Sequence, residues 1–183
     1  MTAEVVHMHH DLIERCRQGD PVAFEKVYKL YSRSMYNVGY RIVNNSEEAE
    51  DVLQEAFISA FKNLNFYRGD ATFGAWLKRI VVNKAINQLK KRRTEPLPED
   101  DRWDVKEETG GDELDHFPYT VEAVRAAIQQ LPDGYRSVLS LYLLEGYDHS
   151  EIAEIMGITE STSKSQFNRS KKKLKELLER RTI

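Results

Sequence analysis

The stretch from Tyr147 to Lys173, YDHSEIAEIMGITESTSKSQFNRSKKK, limits the possible folds more than any other part of the chain. It predicts two short helices joined by a tight turn. Asp148 with Glu151 three residues on is a capping-box pattern, in which each side chain meets a backbone N–H that the first helical turn leaves free. Ile152, Ala153 and Met156 then put one apolar stripe on a single helical face. Gly157 supplies the left-handed residue at which the chain leaves the first helix. Ile158 plugs the joint and Thr159 caps the second helix. That helix carries Lys164, Ser165, Gln166, Asn168 and Arg169 early, then Lys171, Lys172, Lys173 and Lys175. Phe167, Ser170, Leu174, Leu177 and Leu178 are expected on its opposite, mostly buried face. Short polar side chains, an arginine and a glutamine near a helix N-terminus suit base edges in a major groove, and the later lysines suit phosphates. The pattern is a helix-turn-helix with a recognition helix. On these residues alone, an ordinary helical hairpin with a solvated basic face stays open.

Charge distribution supports a nucleic-acid partner where net charge does not. The 183 residues carry a formal −3. Between Glu95 and His116 ten carboxylates face only Arg102 and Lys106, a local −8, so the remainder of the chain stands at +5. Basic modules flank an acidic strip. Pro96, Pro98, Gly110, Gly111 and Pro118 oppose regular structure in that strip, and a charged linker of this kind extends. A metal-binding acidic loop would need carboxylates on a fixed scaffold, which a low-complexity run does not provide. His7, His9 and His10 lack a second ligand cluster, so the first ten residues are expected to be a frayed tail without a metal. Cys16 is the single cysteine; it forms no internal disulfide and is expected to be half-buried in a helix. No apolar run approaches the roughly 20 residues of a membrane span, and no signal-peptide core is seen, so stable membrane insertion is not expected and the chain is expected in the cytoplasm.

Ahead of the strip the pattern is helical throughout. A short helix is predicted from Asp11 to Gln18, and Asp20-Pro21 opens a second that reaches Val43. Asn44, Asn45 and Ser46 break it, with Ser46 expected to cap the next. Ala49, Val52, Leu53, Ala56, Phe57, Ala60, Phe61 and Leu64 repeat at i, i+3, i+4 and form a full core face. Asp51, Gln54, Glu55 and Ile58 fall on the other face, a compact patch fit either for a protein partner or for solvent. Asn65 to Asp70 is read as a loop closed by a capping Asp70, followed by a long helix to Arg93. Leu77, Val81, Val82, Ala85 and Leu89 face inward; Arg79, Asn83, Asn87 and Lys90 form one polar stripe with Trp76 at its N-terminal end. An aromatic beside arginine and amide groups, next to Phe66, Tyr67 and Arg68, suits unstacked single-stranded bases. The run from Lys90 to Arg93 suits phosphates. A core tryptophan with a basic helix terminus is the other reading of the same residues.

After the strip, Val121, Val124, Ile128 and Leu131 mark a helix ended by Pro132. Asp133-Gly134 is expected to turn the chain, and Val138, Leu139, Leu141 and Tyr142 mark another helix ended by Gly146. The expectation is an all-α chain of two helical domains, 11–94 and 120–183, with a tail at 1–10 and an acidic flexible linker at 95–119.

Taken together these segments resemble the extracytoplasmic-function (ECF) group of bacterial sigma factors in the sigma-70 family. Asp51-Val52-Leu53-Gln54-Glu55-Ala56-Phe57 looks like region 2.2. Tyr67-Arg68-Gly69-Asp70, then Trp76-Leu77-Lys78-Arg79-Ile80 and Asn83, look like regions 2.3 and 2.4. Leu131-Pro132 with Tyr135-Arg136, then Glu145-Gly146 and Glu151-Ile152-Ala153, look like region 4. The resemblance implies that Asp51, Gln54, Glu55 and Ile58 bind core RNA polymerase, whose β′ clamp and β subunits are the family's partners. It implies that Tyr67, Arg68, Asp70, Trp76, Arg79 and Asn83 help melt the −10 element and hold a flipped non-template base, with Lys84 and the run from Lys90 to Arg93 following the backbone beside it. It implies that Lys164, Ser165, Gln166, Asn168, Arg169 and Lys172 read the −35 element as duplex. Promoter DNA and an anti-sigma factor are the further partners implied; no cofactor, metal or catalytic residue is. Two positions depart from the family pattern: Ser163 stands where an apolar residue is common, and Gln166 where arginine is frequent.

Two rival classes make different predictions. A stand-alone helix-turn-helix regulator predicts tight duplex binding without polymerase and leaves the Asp51 patch and the Trp76 stripe unexplained. A nuclease using the acidic strip predicts metal-dependent activity, for which no ordered His/Asp/Glu constellation is present.

Overall fold

The computed structural model describes residues 9–92 and 119–180. Most of the expected tail and the acidic strip lie outside the described residues, as does Arg93. Every element among the described residues is helical, and none is a strand. The chain divides into two compact units, Met1–Lys91 and Arg92–Ile183.

The first unit contains α1 (His10–Arg17), α2 (Pro21–Val43), α3 (Ser46–Lys62), a 3-10 turn (Leu64–Phe66) and all but the last residue of α4 (Phe73–Arg92). Asp20 caps α2 by accepting from the Val22 and Ala23 amides, with Pro21 at the first helical position, where a missing N–H costs nothing. Asn44, at φ 51°, ends the helix. The core is the set of inward faces read from periodicity: Val27, Val38 and Ile42 of α2, Val52, Leu53 and Phe57 of α3, and Leu77, Val81, Val82 and Leu89 of α4. A Cβ on Gly39 would lie 3.4 Å from Val52 Cγ1 and 3.7 Å from Val81 Cγ1, so α2 meets both other helices at this residue.

Three local expectations are corrected here. Ser46 does not cap α3; Asn45 does, its Oδ1 accepting from the Glu48 amide at 3.0 Å while Ser46 is already helical. Asp70 does not cap α4 either. The Thr72 hydroxyl accepts from the Ala75 amide at 3.2 Å, and the helix begins at Phe73, whose buried ring belongs to the core. In both cases two nearby residues could cap, and the register of the buried face selects the one that does. Cys16 is 2% exposed rather than half-buried, and burial pushes its thiol pKa up.

The second unit contains α5 (Val121–Gln129), α6 (Asp133–Leu143), α7 (His149–Met156) and α8 (Glu160–Glu179). Thr120 caps α5 through the Ala123 amide. Val121, one of the residues that marked the helix, is 61% exposed at its first position, and Ala127 is the buried residue of that helix. Asp133 and Gly134 do not form a turn. They are the first residues of α6, directly after Pro132. The buried Arg136 explains this: its Nη1 donates to the Leu131 carbonyl at 2.8 Å and its Nη2 pairs with Asp133, so one side chain closes the joint between α5 and α6.

The caps and turn of the helix-turn-helix follow the expected chemistry, but the buried stripe of α7 is Ile152 with Ile155, while Ala153 and Met156 are half-buried. The Glu151 amide donates to Asp148 Oδ1 at 2.8 Å and the Asp148 amide to Glu151 Oε2 at 2.9 Å, both halves of the capping box. Gly157 sits at φ 72°, where a Cβ is disfavoured. The Thr159 hydroxyl accepts from the Thr162 amide at 3.0 Å and starts α8. Ile152 and Ile155 are buried from α7, and Ser163, Ser170 and Leu178 from α8.

Candidate functional site

Asp51, Gln54, Glu55 and Ile58 occupy one face of α3 at i, i+3, i+4 and i+7, all exposed, opposite the face that fills the core. Ile58 is 54% exposed, and no described packing accounts for an apolar side chain there. The carboxylate of Glu55 lies 3.3 Å from Lys84 Nζ on α4. This ion pair is half in water, so it holds the two side chains together without contributing much stability.

Next along the first unit is an aromatic cluster. The Tyr67 ring packs edge-on against Phe73 at 5.5 Å and tilted against Trp76 at 5.4 Å; Phe73 and Trp76 lie 5.6 Å apart. Tyr31 closes the cluster from α2, 5.4 Å from Phe73. The Tyr67 hydroxyl donates to the Ala71 carbonyl at 2.8 Å, closing the Arg68–Asp70 loop on itself. Burial raises the Tyr67 pKa, an effect that Arg17 opposes, and its phenol therefore stays neutral in its hydrogen bond. Trp76 is half-buried: one side packs on Phe73 and Tyr67, and part of the ring is accessible. Arg68 and Asp70 are exposed in the loop, and Arg79 and Asn83 are exposed on α4 one turn apart. Asn87, Lys90, Lys91 and Arg92 continue that exposed line to the end of the helix. Phe66, 75% exposed on the 3-10 turn, adds a further aromatic face beside the loop.

On α8 the residues divide. Lys164, Asn168 and Lys172 succeed one another at i, i+4 and i+8, with Ser165 and Arg169 alongside. Lys164 and Lys172 are exposed, and Ser165, Asn168 and Arg169 are half-exposed. Gln166 stands apart. It lies roughly 200° around the axis from Lys164, and its Oε1 is buried without a hydrogen-bond partner among the described residues. Gln166 as a whole is half-exposed like Ser165, Asn168 and Arg169, so only its carbonyl oxygen is withdrawn. Lys164 pairs with Glu160 at 2.8 Å, and the Ser165 hydroxyl donates to the Thr162 carbonyl at 3.0 Å. Lys171 Nζ sits 4.9 Å from the centroid of Phe167.

Sequence reasoning did not single out three residues that shape these surfaces. Phe73 was visible in principle, three residues before Trp76 and four before Leu77. Arg17, which donates to the Tyr67 carbonyl, and His149, which meets Ser163, act across 50 and 14 residues and leave no local signature. Among the described residues no cluster of three or more His, Cys, Asp or Glu side chains could hold a metal, and no helix is long and apolar enough to cross a membrane.

Residues 27–95 match Sigma-70 region 2, and residues 121–174 match Sigma-70 region 4. The RNA polymerase sigma-H factor of Pseudomonas aeruginosa is 34% identical over 178 residues, covering 92% of this chain and 92% of its own length. The ECF RNA polymerase sigma factor SigM of Mycobacterium tuberculosis is 31% identical over 161 residues, covering 87% of this chain and 79% of its own length. The fold is shared with the solved structure of the sigma factor RpoE in complex with the anti-sigma factor NepR from Bartonella quintana. That likeness has a TM-score of 0.56 at 21% identity, covering 85% of this chain and 96% of the other. With both sigma regions present in order, and relatives about a third identical along most of their length, the chain belongs to the ECF group of sigma-70 family sigma factors, which direct RNA polymerase to promoters.

Proposed function

We propose that the three surfaces divide the work of initiation. Asp51, Gln54, Glu55 and Ile58 dock on core RNA polymerase, through its β′ clamp. Tyr67, Arg68, Asp70, Trp76, Arg79, Asn83 and Lys84 capture the non-template strand of the −10 element, with the line from Lys90 onward following its backbone. Lys164, Ser165, Asn168, Arg169 and Lys172 read the −35 duplex; Gln166 joins them only if its carboxamide turns outward. The segments 11–94 and 120–183 are the corresponding functional domains, joined by the acidic linker. The protein is not itself an enzyme and works in the cytoplasm, catalysis being left to the polymerase. An anti-sigma factor is a further partner, in line with the partner named in the solved RpoE complex.

The observation that carries this reading is the packing of Tyr67, Phe73 and Trp76 at the start of an exposed Arg79–Asn83 stripe. Extruding a base costs a few kcal/mol of lost stacking and pairing, and a preformed aromatic surface with neighbouring base-edge donors offsets it. A duplex-only regulator has no use for such a surface.

The test is a pull-down of bacterial core RNA polymerase by the full chain beside an Asp51/Gln54/Glu55 triple-alanine variant whose helicity matches wild type. Retention by the wild type and loss in the variant are expected. Retention by both moves the interface towards Ile58. No retention by either, with duplex binding intact, overturns the assignment of that face and favours the stand-alone regulator.

A further inference from the structure

The loop assigned to strand capture is held from outside by α1, a helix that lies before the region 2 match. Arg17 Nη2 donates to the Tyr67 carbonyl at 2.5 Å, while its Nη1 pairs with Glu14 Oε2 at 3.0 Å. One guanidinium thus ties the last turn of α1 to the main chain just before Arg68. A second tie runs through Tyr31. His9 Nδ1 lies 3.0 Å from the Tyr31 hydroxyl, and the Tyr31 ring is edge-on to Phe73, which supports both Tyr67 and Trp76. A Cβ at Gly74 would come within 3.0 Å of Tyr31 Cε1, so this ring is closely confined against α4.

Tyr67 is therefore held at three points. Its amide donates to the Leu64 carbonyl, its hydroxyl to Ala71, and its carbonyl accepts from Arg17. The first two contacts are local and keep the loop's own shape. The third, together with the packing of the Tyr67 ring on Phe73 and Trp76, fixes that loop relative to the rest of the unit, and it is charge-assisted.

We infer that Arg17 is a positioning residue for −10 strand capture, and that α1 sets how fast the promoter opens. The inference rests on the reading of Tyr67 and Trp76 given under Proposed function. An unstacked base gains full contact only with rings already in place; a loop free to move must be ordered at the moment of melting, and the opening rate falls.

The experiment uses holoenzyme reconstituted from the full chain and bacterial core polymerase, on a promoter fragment selected by the wild-type holoenzyme from a random library. Closed-complex affinity and the opening rate are measured separately, the latter by fluorescence of 2-aminopurine in the −10 element. Arg17→Ala is expected to slow opening about tenfold, the scale of one charged hydrogen bond, with closed-complex affinity changed less than about twofold. Arg17→Lys, which can still donate to the carbonyl, is expected to restore part of the rate. Trp76→Ala separates the inference from the reading beneath it. If Trp76→Ala impairs opening and Arg17→Ala does not, the role of Arg17 is wrong and the capture surface stands. If Trp76→Ala leaves opening unchanged, the capture surface itself is wrong. Arg17→Gln keeps the bulk of the side chain as a check on folding. Equal losses of closed-complex affinity and opening rate in both Arg17→Ala and Arg17→Gln, with lowered thermal stability, would reduce Arg17 to a structural contact and overturn the inference.

Discussion

His149 Nδ1 lies 2.9 Å from Ser163 Oγ, linking the first residue of α7 to the buried face of α8. The imidazole also stacks on Tyr142 at 4.5 Å and meets Phe167 edge-on at 5.6 Å. Ser163 is fully buried on that face. A buried hydroxyl there costs stability unless it is hydrogen-bonded, and His149 provides the bond. The Ser163 hydroxyl is thus matched by a partner 14 residues away.

The burial of His149 makes the second unit sensitive to acid. Burial, then Lys164, hold the His149 pKa below its ordinary value of 6.5; Glu160 and Asp148 act in the opposite direction with less effect. Because the unfolded chain takes up the proton first, stability is independent of this group above about pH 6.5 and is lost as pH falls from there towards the lower folded value. Hydrogen exchange of α7 and α8 amides at pH 7.5 and 5.5 should show a steeper loss of protection for wild type than for His149→Gln. A double-mutant cycle with Ser163→Ala should return a coupling of about 1 kcal/mol.

The capping box should behave as a local device. Asp148→Ala removes the acceptor of the Glu151 amide and is expected to destabilise the second unit by about 1 kcal/mol, read from thermal unfolding followed by circular dichroism. The first unit should be unaffected.

Arg136 predicts a larger effect. Arg136→Ala removes the donor to the Leu131 carbonyl and leaves Asp133 without this partner at the joint between α5 and α6. A loss of about 3 kcal/mol is expected in denaturant unfolding, since breaking a buried charged contact costs far more than removing an exposed one. Lys84→Ala is the contrast: it breaks only the half-solvated pair with Glu55 and should cost less than about 1 kcal/mol.

On α8, phosphate and base contacts should separate. Lys172→Ala is expected to weaken −35 duplex binding alike for all sequences and to lower the slope of log affinity against log salt by about 1. Asn168→Ala should instead relax base preference at one position, with the salt slope unchanged. Titrations of holoenzyme on matched and mismatched duplexes at several salt concentrations give both quantities.

What the sequence determined by itself was whatever depends on neighbours along the chain. The helical faces of α2, α3 and α4 and the caps at Asp20, Asp148 and Thr159 were legible because periodicity and capping act over three or four residues. So was the turn at Gly157. The exposure of Asp51, Gln54, Glu55 and Ile58 followed from the same arithmetic. Where two nearby residues could do one job, as with Asn45 against Ser46 or Asp70 against Thr72, local chemistry could not choose, and packing of the apolar face did. Asp133-Gly134 carries a turn signal, yet the buried Arg136 draws both residues into α6. Only the tertiary structure decided that Gln166 turns its carbonyl oxygen inward, that His149 meets Ser163, and that Arg17 reaches Tyr67 across 50 residues. The physical reason is common to all three: side-chain hydrogen bonds between elements depend on how helices are brought together, and helix packing leaves no period in the sequence from which that arrangement can be read.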